Sequence, residues 1–268
     1  MAFPTIGATN NSDTNNNTSH IVSMPAGIVA GHKLVAFFVC DGSVTVNTPS
    51  GWTKSVDRLE DSGTNDVRLA IYTKTAEGSD TLTVTTSGVS DSAHVALRVV
   101  TNGNFDLTVA DGGSDSSPNP PSHTPSEGSA DYLWIAVAAA NNVDVSSYPA
   151  SYGSNQVTNS SQDVFIAVAT RNNAAASEDP GTFSISGNSK WITATIAYYP
   201  NLPTVVSMPI LTTNTTFLTP AINFPAQASL PLITSEHTLY TPSTTASNKT
   251  NWINESKPST TWSNEQEL

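Results

Sequence analysis

Apolar and polar residues alternate in short runs along this chain. Val67, Leu69 and Ile71 occupy every second position, with Arg68, Ala70 and Tyr72 between them. In Thr81-Leu82-Thr83-Val84-Thr85, two apolar residues sit among three threonines. A period of two predicts strands buried on one face. Two runs are apolar throughout, Leu34-Val35-Ala36-Phe37-Phe38-Val39 and Leu133-Trp134-Ile135-Ala136-Val137-Ala138. These predict central strands buried on both faces. Turn clusters such as Asp61-Ser62-Gly63-Thr64-Asn65 and Glu77-Gly78-Ser79-Asp80 separate the runs.

The pattern occurs twice. Each continuous run is followed by a turn carrying an aromatic, Pro49-Ser50-Gly51-Trp52 and then Pro149-Ala150-Ser151-Tyr152. Next come Asp66-Val67-Arg68-Leu69-Ala70-Ile71-Tyr72 and Asp163-Val164-Phe165-Ile166-Ala167-Val168. Each half closes on an alternating strand, His94 to Val99 and Trp191 to Ile196. A repeat held at near-constant spacing marks a duplicated unit. Each half alone has too few strands for a thick core. The expectation is an all-β fold, an antiparallel β-sandwich (jelly-roll-like) built from two pseudo-repeated halves, about 1–105 and 125–200, followed by an extended C-terminal tail. The polar stretch from Asp111 to Ala130 reads as a long, exposed connection between the halves.

Composition narrows the function classes. The formal net charge is −12, which argues against nucleic-acid binding. Cys40 is the one cysteine, so no intrachain disulfide is possible, and its apolar run predicts a buried core residue. The start, Met1-Ala2-Phe3-Pro4-Thr5, lacks the basic and apolar regions of a signal peptide. No apolar run is long enough to span a membrane. These features predict synthesis in a cytoplasm and no membrane insertion.

Candidate chemistry is sparse. His20, His32, His94, His123 and His237 form no metal-binding spacing and read as surface or strand residues. Asp111 and Asp115 lie in an oxygen-rich loop without the spacing of a calcium site. Asp57, Glu60 and Asp61, or Glu178 and Asp179, read as solvated loop charge rather than as a glycosidase acid pair. Trp52 and Tyr152 hold equivalent places, which favours packing over sugar stacking. The expectation is no catalytic residue, no metal and no cofactor.

Beyond residue 200 the chain changes character. A Pro/Thr-rich zone, 201–248, repeats Ser207-Met208-Pro209-Ile210-Leu211 as Ser229-Leu230-Pro231-Leu232-Ile233, each followed by an aromatic before a Thr-Pro, Phe217 and then Tyr240. Regular prolines exclude helix and central strand. The zone predicts an extended segment lying on a partner or wound with its copies in a homotrimer, with a flexible linker as the alternative. The end, 249–268, repeats Thr250-Asn251-Trp252-Ile253-Asn254-Glu255 as Thr260-Thr261-Trp262-Ser263-Asn264-Glu265. Tryptophans in a polar terminus suit anchors that bury in a partner. The candidate docking residues are Trp252, Asn254, Glu255, Trp262, Asn264, Glu265, Leu230, Pro231, Leu232 and Tyr240.

Several of these phrases together resemble bacteriophage and prophage virion proteins. The pattern is Pro25-Ala26-Gly27, then Ala30-Gly31-His32-Lys33-Leu34-Val35, then Pro49-Ser50-Gly51-Trp52-Thr53. The phrase Thr250 to Lys257-Pro258 and the segment around Leu230-Pro231-Leu232-Ile233 are similar to parts of the same proteins. The second tail phrase departs from the pattern at Gln266-Glu267-Leu268. The resemblance implies a non-enzymatic tail-fibre, head-fibre or capsid decoration protein located in the virion. Its implied partners are other virion proteins of the capsid, neck or tail and its own copies, with a trimer favoured. The displayed sandwich could attach to a host surface, a glycan among the candidates, or could brace the capsid. The alternative reading is a stand-alone carbohydrate-binding β-sandwich. A polysaccharide-degrading enzyme has no acid pair or cleft motif to support it.

Overall fold

The computed structural model describes residues 2–60, 63, 66–112, 115–160 and 164–201. The described residues form strands, turns and loops, with no helix. The first half supplies β1 (Ile6–Val22), β2 (Lys33–Asp41), β3 (Thr53–Glu60), β4 (Val67–Thr75) and β5 (Leu82–Val99). The second supplies β6 (Gly103–Asp111), β7 (Ala130–Asn141), β8 (Val145–Ser147), β9 (Gly153–Ser160), β10 (Val164–Ala175), β11 (Ser184–Ile185) and β12 (Trp191–Pro200). All pairings between strands are antiparallel.

Each half makes one five-stranded sheet. The orders are β1-β5-β2-β4-β3 and β6-β12-β7-β10-β9, which are the same plan with β8 and β11 added as a small separate pair. The chain completes the first sheet before it begins the second, so the change of sheet falls between Val99 and Gly103. The sheets pack face to face as the expected sandwich. Between them lie Val35, Phe37, Val39, Leu69, Ile71, Val95 and Leu97 from one side and Ile135, Val137, Ile166, Val168, Ile192 and Ile196 from the other. Burying this many branched side chains is the main stabilising term of the fold.

Strand pairing identifies the structural counterparts. Phe37 pairs with Ile71, and Val137 with Val168. Val35 pairs with Leu97, and Ile135 with Ile196. Val35 therefore corresponds to Ile135, and Phe37 to Val137. Matching Leu34 to Leu133 by residue identity is off by one position, and a one-residue slip exchanges a strand's two faces. Leu133 points into the inter-sheet core, while Leu34 points to the outer face of the first sheet. The aromatic turns do correspond. Trp52 N–H donates to the Pro49 carbonyl at 3.1 Å, and Tyr152 N–H to the Pro149 carbonyl at 3.2 Å. Gly51 and Ser151 hold the left-handed position of these turns, with φ of 78° and 68°.

Both outer faces are covered as well. On the first sheet, Leu34, Phe38, Cys40, Ala70 and Tyr72 pack under Val22, Val46, Trp52, Leu82 and Val84. The β1–β5 ribbon supplies most of that cover, bending through register shifts between Thr14 and Ser19. So β4, which alternation marks as half-buried, is buried on both faces. On the second sheet, Ala136, Ala138, Phe165 and Ala167 pack under Phe183, Ile185 and Trp191. The stretch read as an exposed connection between the halves instead joins β6 to β7 within the second half and lies along this face, with Pro118, Pro120, His123 and Pro125 buried. Thr193 Oγ1 donates to the Asn119 carbonyl at 3.0 Å and Thr195 Oγ1 to the Pro121 carbonyl at 2.6 Å. A connection this long needs partners for its backbone groups, and this face supplies them.

Candidate interaction surface

The ten docking residues expected in the tail, Trp252, Asn254, Glu255, Trp262, Asn264, Glu265, Leu230, Pro231, Leu232 and Tyr240, lie outside the described residues. Of the acids read as solvated loop charge, Asp57 and Glu60 lie on strand β3 and Glu178 is buried, and all three are engaged in ion pairs, while Asp61 lies outside the described residues. Asp57 is held by Arg68 and by Lys54, the latter at 2.5 Å. Glu60 pairs with Lys190 at 3.1 Å. Glu178 accepts from Arg171 at 2.8 Å, Asn173 at 3.0 Å and Tyr152 at 3.3 Å. Asp115 accepts from the Trp191 indole N–H at 3.0 Å and from Ser117 N–H at 2.9 Å. Trp52 is buried, its indole N–H donating to the Thr81 carbonyl at 3.0 Å. Burial gives it a packing role. Cys40 is fully buried, and burial pushes its thiol up to about 12.

Three of the histidines are buried: His20 and His94 are strand residues, on β1 and β5, while His123 lies in the segment between β6 and β7, neither at the surface nor on a named strand. The first two belong to a directed chain of hydrogen bonds under the bent ribbon. Thr86 Oγ1 donates to the Gly88 carbonyl at 2.8 Å, so it accepts from His20 Nε2 at 3.2 Å. His20 Nδ1 then accepts from Ser92 Oγ at 2.7 Å, and Ser92 accepts from His94 Nε2 at 2.8 Å. His94 Nδ1 in turn accepts from Ser12 Oγ at 3.0 Å, and Ser12 accepts from Ser23 N–H at 3.0 Å. This assignment satisfies each group with both rings neutral. Burial lowers the pKa of both, that of His94 to about 3, while Asp91 partly offsets the effect at His20. A Ser-His pair here resembles a nucleophile and base in composition only, because His20, Ser92 and His94 are all closed to solvent. The network joins ribbon to sheet.

Among the described residues, the surface that remains open is a sheet edge. The first sheet covers β9, β10, β7 and β12, with β3 lying over β12. Strand β6 projects beyond this cover, and its inward residues Phe105, Leu107 and Val109 are only half-buried. Gly112 N–H donates to Trp191 and Asn201 N–H to Asn102, at the two ends of β6. The unbroken antiparallel register between them assigns the even-numbered residues of β6 to β12. The N–H and C=O groups of Gly103, Phe105, Leu107, Val109 and Asp111 therefore face outward from the sheet.

One device sits on this edge. Asp106 Oδ1 accepts from Leu107 N–H at 2.9 Å, and its Oδ2 from Ser126 N–H at 3.1 Å. Burial alone would raise the Asp106 pKa. The bonds from Ser126 and Leu107, with the His123 ring 3.9 Å away, outweigh that and hold the carboxyl below the usual range. His123 is fixed by Thr108 Oγ1 at 2.8 Å and by an edge-on Trp134. Of this site the sequence reading named only His123 among its histidines. The alternation Phe105-Asp106-Leu107-Thr108-Val109 is the signal that reveals the strand. Its place at an open edge has no signal in the sequence.

No family model matches the chain, and no curated protein or solved structure is significantly similar to it.

Proposed function

We propose that this chain is a non-enzymatic structural protein of a bacteriophage particle, a fibre, spike or decoration protein. Residues 249–268, aided by 201–248, anchor it to other virion proteins, and the sandwich is the part displayed. The observation that carries this reading is the doubled phrase Thr250 to Glu255 and Thr260 to Glu265, which sets two tryptophans in a polar tail. Burial of a large side chain in a partner stabilises by about 1.5–3 kcal/mol, and several copies would add avidity. A domain whose buried His20 and His94 and whose acids Asp57, Glu60 and Glu178 are taken up by internal bonds suits display. Attachment to a host surface is the use the reading favours for the displayed domain.

Deletion of 249–268 tests the reading. The truncated protein is expected to stay soluble, with an unchanged circular dichroism spectrum, and to be missing from purified particles. Incorporation at the full-length level would remove the anchor and with it the main support for a virion role.

A further inference from the structure

We propose that the open edge of β6 pairs antiparallel with β6 of a second copy of this chain, about a two-fold axis at Leu107. This contact belongs to the sandwich and does not depend on what the tail binds.

The sandwich has four edge strands among the described residues, β1, β3, β6 and β9. Three of them are interrupted. Register shifts break β1 against β5, β3 against β4 and β9 against β10. Bulges of this kind blunt an edge against further pairing. Strand β6 alone runs against its neighbour without a shift. Its free edge therefore keeps the regular spacing that a further strand requires.

The edge is also complementary to itself. With Leu107 on the axis, every outward-facing backbone group meets an outward-facing group of the second copy. Phe105 then stands opposite Val109 of that copy, and Leu107 opposite Leu107. These are the inward side chains that the first sheet leaves half-buried, so the pairing covers them with one another. On the other face, Asp106 stands opposite Thr108, so carboxylate does not meet carboxylate. Shifting the axis to Asp106 would place the two carboxylates directly opposite, a destabilising arrangement in a low-dielectric ladder. Asp106 also acts as a gate. Its carboxylate holds Leu107 N–H, the central donor of the proposed ladder, and must release it on pairing. A reversible contact, strengthened when Asp106 is removed, is expected.

Cysteine substitution in the full-length chain reads the register directly. An antiparallel hydrogen-bonded pair has Cα atoms about 5.5 Å apart, within disulfide reach. Leu107→Cys should give a disulfide-linked dimer under mild oxidation. Phe105→Cys and Val109→Cys should link to each other when mixed, and each alone far more slowly. The native Cys40 is buried, and the wild type serves as its control. Leu107→Lys should weaken self-association by roughly tenfold or more, by placing a charge on the covered stripe. Asp106→Ala should strengthen it. Unfolding midpoints of each variant confirm that the sandwich is intact. Linking of Leu107→Cys no faster than of Phe105→Cys alone overturns the proposal. So does a wild type that stays monomeric up to about 1 mM, the weakest affinity worth considering. An assembly that survives Leu107→Lys unchanged belongs to another surface and overturns it too.

Discussion

The outer face of the first sheet is closed by its own bent ribbon, whereas the outer face of the second is closed by the long segment between β6 and β7 together with Phe183 and Ile185. Under the ribbon sit Phe38 and a chain of hydrogen bonds through His94, Ser92 and His20. Under the connection, the structural counterparts are Ala138 and Thr193, with Thr193 and Thr195 holding the carbonyls of Asn119 and Pro121. One strand plan thus carries two covers. The first needs large rings and neutral histidines. The second sets alanines among the large rings Trp134, Phe165 and Trp191, so that a chain segment can lie close, and adds hydroxyls that satisfy its backbone. A duplicated sheet can diverge on its outer face because the inner face alone holds the two sheets together.

The largest break in this comparison is expected at Phe38. Phe38→Ala should cost about 3–5 kcal/mol, as for other buried aromatic truncations, read by chemical denaturation. At the counterpart position, Ala138→Phe should cost about 1–3 kcal/mol through overpacking. Equal effects at the two positions would deny that the covers differ.

Acid sharpens the comparison next. Both histidines under the ribbon have pKa values below the 6.5 of an ordinary histidine. The fold therefore binds fewer protons than the unfolded chain. Its stability is intact above about pH 6.5 and falls as pH drops below that, by about 2 kcal/mol at pH 5 from His94 alone. Replacing it by its counterpart, His94→Thr, should flatten this slope whatever it does to stability at neutral pH. Denaturation curves between pH 7 and 5 decide the point, and a slope unchanged in His94→Thr would refute it.

Smaller effects are expected under the connection. Thr195→Val removes the hydroxyl donor to Pro121 and should cost about 1–2 kcal/mol. Thr193→Val should cost a similar amount, and the double variant should be cut by protease within 115–128 while the ribbon of the first half resists. Uniform proteolysis would show that the connection is not a separate cover.

The smallest effect concerns the turns. Ser151 bears the left-handed φ that Gly51 adopts freely at the equivalent place. Ser151→Gly should stabilise by up to about 1 kcal/mol, and Gly51→Ser should destabilise by a similar amount. Paired thermal unfolding experiments test the two signs together.

How much of this was legible depends on the element. The runs Leu34–Val39 and Leu133–Ala138 predict buried central strands and are β2 and β7. The turns at Trp52 and Tyr152 predict each other's geometry. Strand β1 could not be read, because Thr9, Asn10, Asn11 and their neighbours lack an apolar period. It forms because β5 offers a long edge and because its polar side chains find partners. Thr9 donates to Gln156 at 3.0 Å, and Asn11 to the Val157 carbonyl at 3.0 Å. The buried histidines were likewise invisible, since a histidine's burial is set by what folds over it.

By itself, the sequence determined the all-β class, the duplication and which strands are central. Those follow from side-chain period and from a repeat of apolar runs, both local properties of the chain. The tertiary structure decided the pairing offset between the halves, the two covers and the open edge at β6. Each depends on which groups remain unpaired after two sheets of equal width stack out of step, and that is settled by contacts between residues distant in the chain.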